Sequence, residues 1–176
     1  MLQGEKTRLT ALKEKDLPTI ASWFENADFL KLFDAVPAMP RTEQSFKSWI
    51  DNKDSSNQEF RFAIRPVGKE EIVGFLELDG ILWNQRNAWL SIAIGDSANW
   101  NKGFGKEAMT LALNFCFHEL NLHRVQLTVF EYNKRAIALY ENLGFQKEGS
   151  YREFLKRDGQ TYNMELYGIL DREWGS

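Results

Sequence analysis

Apolar and polar residues alternate along Thr7-Arg8-Leu9-Thr10-Ala11-Leu12, which is the two-residue period of a strand. From Lys13 to Phe24 the period changes. Leu17, Ile20, Ala21 and Phe24 fall three and four apart, predicting a helix. A second short helix is expected over 29–33, broken before Pro37 and Pro40. Thr42 stands at the N-cap of a helix carrying Phe46, Trp49 and Ile50, with Asp54-Ser55-Ser56-Asn57 ending it. Strand signals then come at 60–64, 72–78 and 88–94, joined by connections short enough for an antiparallel meander.

Residues 107–120 are rich in helix formers, with Ala108, Met109, Ala112, Cys116 and Leu120 as the buried stripe. The next strand spans 125–130, and a strand–helix–strand passage favours a parallel neighbour. Asn133 caps a further helix that closes at Leu143-Gly144, a usual place for glycine. Residues 146–155, the turn Arg157-Asp158-Gly159 and residues 161–170 predict a terminal hairpin. No repeat or linker interrupts this order. The expected fold is α+β: a mixed, largely antiparallel sheet flanked by helices, with one parallel crossover, in a single domain over 1–176.

Composition narrows the function. The 176 residues include thirteen Phe and six Trp, ample for a core, and the net charge of −3 argues against general nucleic-acid affinity. Cys116 is the single cysteine and is expected to be inert core, so no intrachain disulfide or cysteine metal site is available. With only His118 and His123 besides, no metal is expected; His118 should face solvent and His123 should order a strand entry. The start of the chain lacks the apolar run of a signal peptide, and no stretch reaches the roughly 18–20 apolar residues that span a bilayer. A cytoplasmic protein is the resulting expectation, and assembly of identical chains is compatible with it.

The most informative segment is Asn101-Lys102-Gly103-Phe104-Gly105-Lys106-Glu107, set between a strand and a helix. A helix start exposes N–H groups and a positive dipole end, and glycine lets the backbone approach a ligand, so a phosphate-bearing ligand is expected here. A P-loop is excluded, because Trp100 stands at its first glycine and Glu107 follows Lys106. Residues 103–108 match the G-x-G-x-x-A dinucleotide pattern, but they follow a meander. No acid stands about 20 residues on, where Leu122-His123-Arg124-Val125 lies, so a nicotinamide-dependent oxidoreductase is the weaker alternative.

A third chemistry fits better. Gly103 and Gly105 match the glycines of [QR]-x-x-G-x-[GA], and residues 133–145 fit N-x-R-A-x-x-x-Y-x-x-x-G-F through Asn133, Arg135, Ala136, Tyr140, Gly144 and Phe145. On these two blocks the chain resembles the GNAT N-acetyltransferases along its whole length, with the ribosomal-protein N-terminal and spermidine/spermine branches the most similar. The polyamine branch is echoed in Asn121-Leu122-His123-Arg124, Glu148-Gly149 and Arg157-Asp158-Gly159. The resemblance implies acetyl-CoA as donor. It implies that the loop of Lys102, Gly103, Phe104, Gly105, Lys106 and Glu107 holds the pyrophosphate, and that Ile92, Ala93 and Ile94 pair with the pantetheine arm. Asn133, Arg135 and Tyr140 would complete the donor site. Trp100 departs from the family's Gln or Arg, so that contact is either lost or supplied by Lys102 or Lys106.

Acetyl transfer to an amine needs a neutral nucleophile and a proton for the departing thiolate. Tyr140 is the candidate acid, since a phenol keeps its proton at neutral pH, although Ala136, Leu139 and Leu143 share its helical face and would equally make it a core residue. Related enzymes often carry a Glu on the fourth strand, where Trp89 stands. Glu77 and Asp79, alternating on one strand face, are the candidate bases beside a water chain, and Glu131 is expected to be structural. Phe24, Phe29, Phe33, Phe46 and Trp49 read as core, though the family's early helices usually wall the acceptor site, where Asp34 could meet a cationic acceptor. The expected activity is transfer of acetyl from acetyl-CoA to a small amine, polyamine or peptide N-terminus within a ternary complex. The alternative is a non-catalytic acyl-CoA sensor on the same fold. Few carboxylates surround the early helices, which weighs against the polyamine.

Overall fold

The computed structural model describes residues 2–50 and 58–175, so the helix end expected at Asp54-Ser55-Ser56-Asn57 lies outside the described residues. Seven strands form one sheet: β1 (Thr7–Thr10), β2 (Phe60–Pro66), β3 (Gly74–Leu82), β4 (Asn87–Ile94), β5 (Arg124–Phe130), β6 (Gln146–Arg157) and β7 (Gln160–Leu170). Their order is β1-β2-β3-β4-β5-β7-β6, and every neighbouring pair is antiparallel except β4 with β5. The meander, the parallel crossover and the terminal hairpin thus stand as the periodicity requires. The parallel pair is the feature that builds the site. Its ladder holds only Asn87–Trp89 against Arg124–Gln126, after which the two strands part.

Helices cover both faces of the sheet. On one side, α1 (Leu17–Trp23) and α2 (Ala27–Phe33) bury Leu17, Ile20, Phe24 and Phe29 with Phe46, Ala63 and Phe75. On the other, α3 (Phe104–Asn114) and α4 (Lys134–Asn142) cover Ile64, Leu76, Leu78, Leu90, Val125 and Leu127. Each of these buried Leu, Ile, Val and Phe side chains contributes about 2 kcal/mol through the water it sheds.

Several boundaries differ from the sequence expectation. β1 stops at Thr10 instead of Leu12, whose side chain turns into the layer under α1. The helix expected from Lys13 begins as a 3-10 turn over Glu14–Asp16 and becomes α-helical only at Leu17. Asp16 is the reason. Its carboxylate accepts the Lys13 N–H at 2.8 Å and the Arg65 Nη2 at 2.6 Å, and this ion pair is buried, Arg65 being 0% and Asp16 3% exposed. Thr42 precedes a 3-10 helix, Glu43–Trp49, and its side chain makes no capping bond. By contrast α3 starts three residues earlier than expected, at Phe104, and after Asn114 continues as a wider turn over Phe115–Glu119.

Candidate active site

Where β4 and β5 part, a cavity of about 610 Å³ opens, lined by residues 90–94 of β4 and Thr128, Val129 and Phe130 of β5. Gly95 N–H donates to the Val73 carbonyl at 3.0 Å, and the register sets Ala93 opposite Phe75. By the alternation of an antiparallel ladder, the peptide groups of Ile92 and Ile94 therefore turn away from β3, towards the gap. An extended ligand can pair with such an edge.

The N-terminal end of α3 closes one end of the cavity. Gly103 takes φ +89°, the left-handed conformation that glycine adopts without penalty, and Glu107 N–H makes the first helical bond to its carbonyl at 3.0 Å. The amides of Phe104, Gly105 and Lys106 come before that bond and point out at the positive end of the helix. A Cβ added to Gly105 would lie 3.7 Å from Leu139 and 3.8 Å from Ile94, so this glycine keeps the passage between α3, α4 and β4 wide. Phe104, Gly105 and Lys106 line the cavity. Lys102 lines a neighbouring hollow with Asn99 and Phe104. Glu107 is elsewhere: its carboxylate accepts the N–H groups of Glu5 and Lys6, both at 2.9 Å, which ties the segment before β1 to α3 and lowers its pKa against the opposing effect of burial.

Trp100 does what its position in the loop did not disclose. Its indole Nε1 donates to the Ile94 carbonyl at 3.0 Å, and its ring lies under the Arg135 guanidinium at 3.5 Å. Desolvation on that face lowers the Arg135 pKa, and no carboxylate pairs with Arg135 among the described residues. Asn133 caps α4 by accepting the Ala136 N–H at 3.2 Å and lines the cavity beside Arg135 and Tyr140.

Tyr140 lies on the inner face of α4, 7% exposed, with its ring edge-on to Phe145. Burial pushes its hydroxyl up to about 12 while the Arg135 charge opposes the shift. The ring is thus core, and the residue also lines the cavity.

The carboxylates are distributed less simply. Glu77 and Asp79 do not line the cavity, contrary to the expectation that they face the substrate. Arg61 Nη2 holds Glu77 at 2.6 Å, and burial raises the pKa of both acids. Glu131 accepts the Asn163 N–H at 2.6 Å, a structural bond. Asp34 does line the cavity, at its far end, where it follows α2 and accepts the Val36 N–H at 3.2 Å. Phe29, Phe33, Phe154 and Met164 line the same cavity. Phe154 and Met164 escaped the sequence reading, although an exposed Phe in the polar run Tyr151-Arg152-Glu153-Phe154 is a signal that could have been used.

The remaining candidates are structural. Cys116 is buried, its thiol pushed up to about 12, His118 is exposed, and His123 meets Asp171 at 3.1 Å. Among the described residues no group of three or more His, Cys, Asp or Glu side chains is arranged to hold a metal, and no helix is long and apolar enough to cross a membrane.

Known proteins resemble the chain in sequence and in overall fold. A family model described as an acetyltransferase (GNAT) domain matches residues 6–146. The chain is 29% identical over 168 residues to the spermidine N(1)-acetyltransferase of Vibrio cholerae, covering 94% of each protein. It is 27% identical over 183 residues to the ribosomal protein uS5-alanine N-acetyltransferase of Escherichia coli, covering 96% of this chain and 93% of that one. The crystal structure of spermidine N-acetyltransferase from Vibrio cholerae in complex with CoA and spermine matches with a TM-score of 0.85 at 27% identity, over 97% of this chain and 98% of that chain. With its glycine loop at a helix start, its parted β4–β5 pair and its family match over most of its length, the chain belongs to the GNAT acetyltransferases, which draw their acetyl group from acetyl-CoA.

Proposed function

We propose that the protein transfers the acetyl group of acetyl-CoA to a primary amine by direct attack within a ternary complex. The observation that carries this reading is the single cavity that joins the exposed amides of α3, the free edge of β4 and the Tyr140 side chain. The amides of Phe104, Gly105 and Lys106 suit the pyrophosphate, with Lys102, Lys106 and Arg135 as surrounding charge. The peptide groups of Ile92 and Ile94 suit the amides of the pantetheine arm. The Ile94 carbonyl is already engaged by Trp100, which leaves its N–H and both groups of Ile92 for pairing.

In the reaction the amine nitrogen forms a bond to the acetyl carbon as the carbon–sulfur bond breaks, Tyr140 supplies a proton to the departing sulfur, and the proton that nitrogen sheds as the amide forms returns to the Tyr140 phenolate through water. A phenol raised to about 12 remains protonated throughout the neutral range, which suits an acid. No carboxylate other than Asp34 lines the cavity among the described residues, so the ammonium proton of the incoming amine leaves through water at the open mouth. Incubating the protein with acetyl-CoA and a panel of amines, and following release of free CoA thiol, tests the proposal. Release with at least one amine is expected. Tight binding of acetyl-CoA with no release from any amine would instead favour the acyl-CoA sensor.

A further inference from the structure

The far end of the cavity carries chemistry that selects the acceptor, and the argument here rests on the transferase reading above. Phe29, Leu32, Phe33 and Ala35 form the wall contributed by α2 and the residues after it; Phe130, Phe154 and Met164 form the wall contributed by β5 and the terminal hairpin. Against these apolar groups stands one acid, Asp34, the single carboxylate that lines the cavity among the described residues. It follows the C-terminal end of α2, where carbonyls point outwards, so carboxylate and helix end both favour one positive charge.

A second positive charge finds no counterpart among the described residues that line the cavity. The Arg157 guanidinium stands at this rim, donating to the carbonyls of Asp34 and Val36, and no carboxylate pairs with it among the described residues. Glu77, Asp79 and Glu131 do not line the cavity, and Glu77 is held by Arg61. Lys31 on α2 meets Asp158 at 2.8 Å, so that acid is also engaged. A polyamine entering here would bury further ammonium groups among Phe and Met side chains with Arg157 beside them, and burying an unpaired charge is strongly unfavourable. An apolar body gains from the same walls. The rim continues this character, with Phe154 stacked on Tyr151 at 5.7 Å and Val36 42% exposed.

We infer that the acceptor is a primary amine bearing one positive charge on an apolar or aromatic body, and that polyamines are rejected. Two sources share this chemistry: free arylalkyl or alkyl amines, and peptides whose N-terminal residue carries an apolar side chain.

The test compares phenethylamine, hexylamine, a short peptide with N-terminal Phe, putrescine and spermidine as acceptors, by thiol release and by calorimetric titration onto the CoA-loaded protein. Phenethylamine, hexylamine or the Phe peptide should exceed spermidine in kcat/KM by about tenfold or more, and should bind while spermidine does not. Preference for a free amine over the peptide, or the reverse, identifies the source. Phe154→Glu should narrow the gap by adding the missing acid, and Phe154→Leu should preserve it. Spermidine used as well as the monoamines, with thiol released, would overturn this inference and leave the transferase reading intact. No thiol release from any amine would overturn both.

Discussion

The Arg135 guanidinium rests 3.5 Å from the centre of the Trp100 ring, and the same indole fastens to the Ile94 carbonyl at 3.0 Å. One aromatic residue therefore joins α4, the glycine loop and β4. Where the family has Gln or Arg, this chain places a platform that holds an arginine contributed from 35 residues further along the chain.

Trp100→Ala should weaken acetyl-CoA binding about five- to tenfold, through loss of the stacked cation and of one hydrogen bond, as read by calorimetry. Trp100→Arg should restore most of the affinity. In that background Arg135→Ala should cost less than it does in the native chain, a coupling that a double-mutant cycle measures. Equal costs in both backgrounds would separate the two residues.

Tyr140→Phe should lower kcat by about a hundredfold and change the dissociation constant for acetyl-CoA by no more than about twofold. The pH profile is a second readout. Because burial holds the Tyr140 hydroxyl at about 12, kcat/KM should climb as the amine deprotonates and then stay level to the highest pH at which the protein is folded. A falling alkaline limb between about 8 and 10 would mean that the acid is another group.

The two glycines of the loop should separate in their effects. A Cβ at Gly105 meets only ordinary contacts, so Gly105→Val should keep Tm within about 2 °C while its methyls obstruct the passage and reduce acetyl-CoA binding. At Gly103 the φ of +89° is strained for any side chain, so Gly103→Ala should cost about 1 kcal/mol of stability as well as affinity. Thermal melts and titrations on the same samples check both.

Stability should fall at alkaline pH for an identifiable reason. Burial raises Cys116 from 9.0, Tyr140 from 10.0 and Tyr167 from 10.0, each to about 12, with the bond from Tyr167 to Glu141 adding to the last shift. The unfolded chain thus gives up these protons first. Their contribution is complete below the unfolded values and is lost as pH rises towards about 12. Tm should drop by about 5–10 °C between pH 8 and 10.5, and Cys116→Ala should make that decline shallower.

The strand order was legible because each strand run shows alternation or continuous apolarity, and because turn residues separate them. The 3-10 turn at Glu14–Asp16 was not, since its cause is an arginine 49 residues away in β2. A helical period cannot reveal that Asp16 is withdrawn into a buried ion pair. The same distinction divides the site. Gly103, Gly105, Asn133 and Tyr140 announce themselves by spacing, whereas the pairing of Trp100 with Arg135 depends on how α4 docks. Glu77 and Asp79 share a strand face as expected, yet strand alternation specifies only a side of the sheet, and that side is occupied by Arg61.

The early parting of β4 from β5 also bears on how such a protein can change its substrate. On the proposed reading, the donor half of the cavity draws largely on the peptide groups of β4 and the start of α3, which mutation leaves in place, while the acceptor half draws on side chains of α2 and the terminal hairpin. On that reading, substitutions at Phe29, Phe33, Phe154 or Met164 should retune the acceptor while acetyl-CoA recognition is inherited largely unchanged. A duplicated copy of this chain has a short mutational route to a new amine and a long one to a new acyl carrier.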